Sequence, residues 1–149
     1  MGPLSYPLSG PIYIDANILI YSIELVPPHA ARLDAFWQHT SSQRAIVLTS
    51  ELTALESLVG PLKSGNQSIE TLYRQLLFSS ANLTLLPITR AVLERAARLR
   101  AQLPALKTPD AIHAATALEE SVATFLTNDS VFRQVPGLKV VAPRDLPTP

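Results

Sequence analysis

The chain has no cysteine among its 149 residues, which excludes disulfide frameworks, thiolate nucleophiles, iron–sulfur clusters and cysteine–zinc sites together. A reducing cytoplasm is the expected setting. It also lacks an apolar run long enough to span a bilayer, and Met1-Gly2-Pro3-Leu4-Ser5-Tyr6-Pro7 has neither the basic nor the apolar region of a secretory signal. Neither export nor a membrane partner is expected. Net charge is missing as well: 12 Lys and Arg balance 12 Asp and Glu, so any contact with nucleic acid must be local rather than a property of the whole surface. Only 16% of residues are charged against 47% apolar, a balance that excludes disorder and suits one well-packed domain.

Five short apolar runs read as strands: Ile12-Tyr13-Ile14, Ile46-Val47-Leu48, Leu83-Thr84-Leu85-Leu86, Thr124-Phe125-Leu126 and Leu138-Lys139-Val140-Val141. Between them the apolar period becomes helical, at Leu52, Leu55, Val59 and Leu62, at Ile69, Leu72 and Leu76, and at Val92, Ala96, Leu99 and Leu103. Ser50, Thr89 and Thr108-Pro109 supply helix starts, and Gly60-Pro61-Leu62-Lys63-Ser64-Gly65-Asn66 reads as a turn between two helices. Alternating elements with strands buried on both faces predict a three-layer α/β fold, with a mainly parallel central sheet of about five strands flanked by helices. The organisation expected is an irregular leader over 1–11, a single domain over 12–142 and a frayed tail over 143–149.

In an open parallel sheet, ligands bind beyond the carboxyl ends of the strands, so a polar residue just after a strand has a positional claim on function. Asp15 and Asp129 follow two of the predicted strands, while Asp110 lies in the first turn after Thr108-Pro109 and Glu56 in the second turn after Ser50. Each acid also has an ordinary structural use, as a helix cap, a turn former or a partner of the helix macrodipole. Glu56 fits such uses least, since its helical position lies near Leu52, Leu55 and Val59, at the margin of the face expected to pack inward. Glu51, in the first turn, is explained by the macrodipole alone. Four carboxylates at one sheet edge would repel by roughly 4 kcal/mol per close pair at an effective dielectric of 20, which a bound cation relieves. An all-oxygen set suits Mg²⁺ or Mn²⁺ over zinc. His113, on the same helical segment as Asp110, is expected to pack or to support the site rather than to ligate.

Read together, these segments resemble the PIN-domain ribonucleases, and within them the VapC toxins of toxin–antitoxin pairs. The matching runs are Ile12-Tyr13-Ile14-Asp15-Ala16-Asn17, Thr49-Ser50-Glu51-Leu52-Thr53-Ala54-Leu55-Glu56, Leu106 to Ala117 through Thr108-Pro109-Asp110-Ala111-Ile112-His113, and Phe125-Leu126-Thr127-Asn128-Asp129. The resemblance implies a PIN-like fold and a Mg²⁺- or Mn²⁺-dependent endoribonuclease with Asp15, Glu56, Asp110 and Asp129 as catalytic, metal-holding acids. It implies supporting roles for Asn17, Thr127 and Asn128, an RNA substrate, a small antitoxin partner and a homodimer. On that reading the basic run Arg90, Arg95, Arg98, Arg100 and Lys107 would steer phosphate toward the acids; the ordinary reading of the same run is a solvated helix face paired through Glu94. The alternatives are a catalytically silent PIN-like module that binds RNA or protein, and aspartyl-phosphate chemistry. The second is disfavoured by Asn17, where dehalogenase-like phosphatases place a second Asp, and by Pro87 at the end of the third strand, where receiver domains place the acceptor.

Overall fold

Ile12, Tyr13 and Ile14 are at most 1% exposed, as expected for a β-branched and aromatic strand with neighbours on both edges and both faces. In the computed structural model, which describes residue 8 and residues 10–149, this strand, β1 (Ile12–Ile14), is the middle of a five-stranded sheet in the order β3-β2-β1-β4-β5. The others are β2 (Val47–Ser50), β3 (Thr84–Leu86), β4 (Thr124–Leu126) and β5 (Val140–Val141), and every pairing is parallel. From β1 the chain adds β2 and β3 on one side, then returns to add β4 and β5 on the other. The order therefore reverses between β1 and β4, and a crevice opens there at the carboxyl ends of the strands.

Six helices cover the sheet: α1 (Ala16–Ile23), α2 (Ala30–Ser42), α3 (Leu52–Ser64), α4 (Gln67–Phe78), α5 (Arg90–Gln102) and α6 (Thr108–Glu119). The period-two alternation of the strands divides the core into two layers. Tyr13 and Phe125 face α5 and α6, with Val92, Leu99, Ala111, Ala114 and Ala115 in the same cluster. Ile12, Ile14 and Leu126 face the other way, onto Ile18, Leu33, Phe36 and Tyr73. The predicted three-layer parallel α/β architecture is the one observed.

Several local expectations are corrected. The expected turn over Gly60–Asn66 is mostly helix: α3 continues through Pro61 to Ser64, and only Gly65, at φ 72°, breaks it as a left-handed C-cap. The predicted inward stripe of α3 also lies elsewhere. Leu55, Val59 and Leu62 are 66%, 49% and 56% exposed, whereas Thr53, Ser57 and Pro61 are buried. Small polar residues occupy the inner face because α3 follows β2 so closely that the Thr49 and Thr53 hydroxyls meet at 2.6 Å, with Thr49 Oγ1 also donating to the Ile14 carbonyl at 2.7 Å. α6 starts one residue earlier than the Thr108 cap implied, with Lys107 as N-cap. The predicted tail is anchored through Leu146: Pro143–Asp145 form a 3-10 turn, and Leu146 is 3% exposed within the second core layer. The predicted leader lies mostly outside the described residues.

Candidate functional site

Asp15 ends β1 and caps α1, its Oδ1 accepting from the Ile18 amide at 3.3 Å. Asp129 follows β4 and caps the 3-10 turn Ser130–Gln134, accepting from the Val131 amide at 3.0 Å. Asp110 sits in the first turn of α6 and accepts from the Lys107 amide at 3.2 Å. Each aspartate thus fills the ordinary structural role open to it, and each still reaches the same place. Asp15, Glu56, Asp110 and Asp129 together line one cleft of about 170 Å³ at the β1/β4 reversal point, with Asn17 and His113 beside them. No lysine or arginine is among the lining residues. The cap bonds fix where the carboxylates stand without neutralising them.

The electrostatic consequence appears in two of the acids. Asp15 is 5% exposed, and burial raises its pKa against the opposing pull of the Thr127 hydroxyl, His113 and the Ile18 amide, with the Glu56 charge adding to the rise. Asp110 is raised first by burial, which the Lys107 amide opposes, and further by the charge of Asp129. The acids sense one another across the cleft.

Glu56 is held by a chain of hydrogen bonds that begins in the core. The Ser50 amide donates to the Tyr13 hydroxyl at 3.1 Å, Tyr13 Oη lies 2.7 Å from His113 Nδ1, and His113 Nε2 lies 2.6 Å from Glu56 Oε1. An ionised carboxylate only accepts, so Nε2 donates to Glu56; in the neutral ring Nδ1 then accepts from the Tyr13 O–H, and in the protonated ring it donates to Tyr13 Oη. Every member of the chain is satisfied. His113 takes the supporting role expected for it. Tyr13 was read only as an apolar strand residue; the signal available was that a buried tyrosine hydroxyl needs a partner. Thr127 plays a similar part on the other wall: its hydroxyl donates to Asp15 Oδ2 and accepts from the Asp129 amide at 3.0 Å, tying together two acids on neighbouring strands.

Of the other expected residues, Asn17 lines the acidic cleft, but Asn128 lines a neighbouring one. The basic run does not converge on the acids. Arg95 is turned to Glu119 at 2.7 Å, at the opposite end of α6 from Asp110, and Arg90 and Arg98 are exposed on α5 without lining the cleft. Arg100 donates to the Leu106 carbonyl at 3.3 Å. Lys107 acts electrostatically on Asp110, favouring its ionised form.

The donor set is oxygen throughout and fits a hard divalent cation. Among the described residues no three acidic or imidazole side chains converge closely enough to form a ready-made cage. That spacing is compatible with magnesium, which keeps several waters and is usually held by one or two carboxylates together with substrate phosphate.

The sequence profile of the PIN domain matches residues 12–138, which includes all four acids. The fold is also similar to solved structures. A chain of a toxin–antitoxin complex from Klebsiella pneumoniae is 27% identical with a TM-score of 0.64, the match covering 91% of this chain and 98% of that one. A chain of DNA-bound VapBC from Salmonella typhimurium is 18% identical at a TM-score of 0.73, over 91% and 99% of the two chains. A chain of FitAcB from Neisseria gonorrhoeae is 23% identical at 0.68, over 91% and 99%. No curated protein sequence matches the chain.

Proposed function

The chain belongs to the PIN-domain family, and from that premise we propose that it is a metal-dependent endoribonuclease acting as the toxin of a type II toxin–antitoxin pair. The observation that carries this reading is the single cleft at the β1/β4 reversal point, lined by Asp15, Glu56, Asp110 and Asp129 and by neither lysine nor arginine. A concentration of negative charge in a cleft favours a cation, and a cation is what permits the approach of a polyanion. Asp15 and Asp110 are the assigned direct ligands of Mg²⁺ or Mn²⁺, with Asp129 and Glu56 either ligating or orienting water. When bound, the ion supplies neutralisation of phosphate charge and a lowered pKa for water.

The chain's own residues do the positioning. Thr127 fixes the spacing of Asp15 and Asp129. The Tyr13–His113 chain holds Glu56 at the cleft wall, where its free oxygen can orient a water molecule toward phosphorus. Asn17, exposed at the mouth, is placed to donate to the substrate strand. Cleavage leaves the ribose 3′ oxygen as the departing group, a step inherited from the family reading.

The partners proposed are RNA, a small antitoxin and a second copy of the chain. The similar chain from Klebsiella supports the antitoxin, being itself part of a toxin–antitoxin complex. The exposed stripe Leu55, Val59 and Leu62 on α3 supports self-association, since contiguous exposed apolar surface marks interaction sites. Among the described residues no helix is long and apolar enough to cross a membrane, and a cytoplasmic location is proposed with the function.

Incubation of the purified chain with single-stranded RNA and Mn²⁺ or Mg²⁺ tests the proposal: cleavage is expected, and chelator abolishes it. The alternative, a silent PIN-like binding module, predicts RNA or protein binding with no cleavage and no heat of metal binding by calorimetry. The complete set of four acids favours the active reading.

A further inference from the structure

A second cleft, of about 240 Å³, adjoins the acidic one, and Asp129 is their shared wall. It opens at the carboxyl ends of β4 and β5, and Asn128, Ser130, Arg133 and Arg144 are among its lining residues. The two clefts differ in charge. The first is lined by four acids and by neither lysine nor arginine; the second is lined by two arginines, with Asp129 its one acid.

Both guanidinium groups are available. Arg133 Nη2 stands 3.8 Å from Asp145 Oδ2, with the side chains 45% and 49% exposed, a loose surface pair of little energetic value. Asp145 is itself occupied, its Oδ2 accepting from the Ala142 amide at 3.0 Å. Arg144 engages the fold through its backbone, its carbonyl accepting from Arg32 Nη1 at 2.7 Å, and its side chain makes no hydrogen bond or ion pair among the described residues. Arg133 and Arg144 lie in the two 3-10 turns on either side of β5, so the sheet edge places both at one cleft rather than helical spacing. An exposed pair of arginines lining one polar cleft suits a phosphate group, which a planar guanidinium can grip through two parallel hydrogen bonds.

We propose that this second cleft binds a phosphate flanking the scissile one on the same RNA strand, with Arg133 and Arg144 as its charged ligands and Asn128 and Ser130 as neutral donors. The assignment rests on the ribonuclease reading of the adjoining cleft. It gives the polyanion an attachment beside the acids, which by themselves repel it, and it moves the electrostatic footprint from the α5 run to the β4–β5 edge.

The test measures binding of a fluorescein-labelled single-stranded RNA by anisotropy over a range of salt in Mg²⁺, with every protein carrying Asp15→Asn so that the strand stays intact. Added Arg133→Gln and Arg144→Gln are expected to weaken binding about tenfold and to reduce the log–log salt slope by roughly one. Arg133→Lys with Arg144→Lys keeps the slope and loses part of the affinity, whereas Arg90→Gln with Arg98→Gln changes neither. Unchanged melting temperatures certify the fold. Affinity and slope unaffected by the Gln pair overturn the proposal, as does an acidic peptide that requires both arginines while RNA does not. Cleavage of the same RNA by protein with Asp15 intact, in Mn²⁺, reports on the ribonuclease reading separately. Cleavage without an arginine effect removes the subsite alone; an arginine effect without cleavage removes the nuclease and leaves an RNA-binding cleft.

Discussion

His113 Nε2 lies 2.6 Å from Glu56 Oε1, so a residue buried in the middle of α6 sets the position of an acid on α3. The ring is itself oriented by Tyr13, whose hydroxyl meets Nδ1 at 2.7 Å. His113→Ala is expected to lower RNA cleavage by about 10- to 100-fold, the scale on which groups that orient a metal ligand act, with little change in KM. Tyr13→Phe leaves the Ser50 amide and His113 Nδ1 without a partner and is expected to cost about 1–3 kcal/mol in urea unfolding as well as activity.

Asp15 and Asp110 have raised pKa values, which makes their contribution to stability run in a defined direction with pH. A native-state acid that holds its proton more tightly than the unfolded chain stabilises fully below the unfolded value of about 3.9, and loses that contribution as pH rises through the raised native value. The metal-free protein therefore carries a stability cost at these groups at neutral pH. Asp15→Asn is expected to raise the melting temperature in chelator by about 3 °C at pH 7, with the gain shrinking toward pH 4. Mg²⁺ or Mn²⁺ should raise the melting temperature of the wild type more than that of the variant.

One hydroxyl serves both Asp15 and the Asp129 amide. Thr127→Val keeps the shape and removes that hydroxyl, leaving the carboxylate oxygen and the amide unpaired. The expected loss is about 2 kcal/mol by denaturant titration, with reduced cleavage, and Thr127→Ser should restore both.

The α3 stripe bears on assembly. Replacing Leu55 and Val59 with Glu is expected to convert a dimer to a monomer by light scattering, with monomer stability nearly unchanged because both side chains are exposed. A wild-type chain that is monomeric at high concentration contradicts the proposed homodimer.

The sheet was legible in the sequence because its strands are short, buried runs ending in polar residues, and Ile12–Ile14 and Thr124–Leu126 lie where the pattern puts them. The three aspartates were legible for the same reason, since the residue after a strand, or in the first turn of a helix, is placed by the element. Glu56 rested on the family resemblance and on a helical-face premise that was mistaken. The Leu55–Val59–Leu62 stripe was taken as inward because apolar spacing alone does not distinguish a core face from an exposed one, and the true inner face is built of Thr53, Ser57 and Pro61. The relay through Tyr13 and the arginine cleft were illegible because their members are distant in the chain and meet only through the sheet. The basic run on α5 misled because neighbours in sequence were read as neighbours in space, while Arg95 is engaged at the far end of α6.

On the proposed function, the acids of the β1/β4 crevice cut RNA with a divalent ion. The most direct test is the cleavage rate of one single-stranded RNA in Mn²⁺ by purified wild type and by Asp15→Asn, whose shape is nearly the same. Chelator-sensitive cleavage by the wild type is expected, with a rate at least about 100-fold lower for the variant, which has lost one charged group that acts at the reacting phosphate. Equal rates for the two proteins, or cleavage that persists in chelator, would contradict the proposed function.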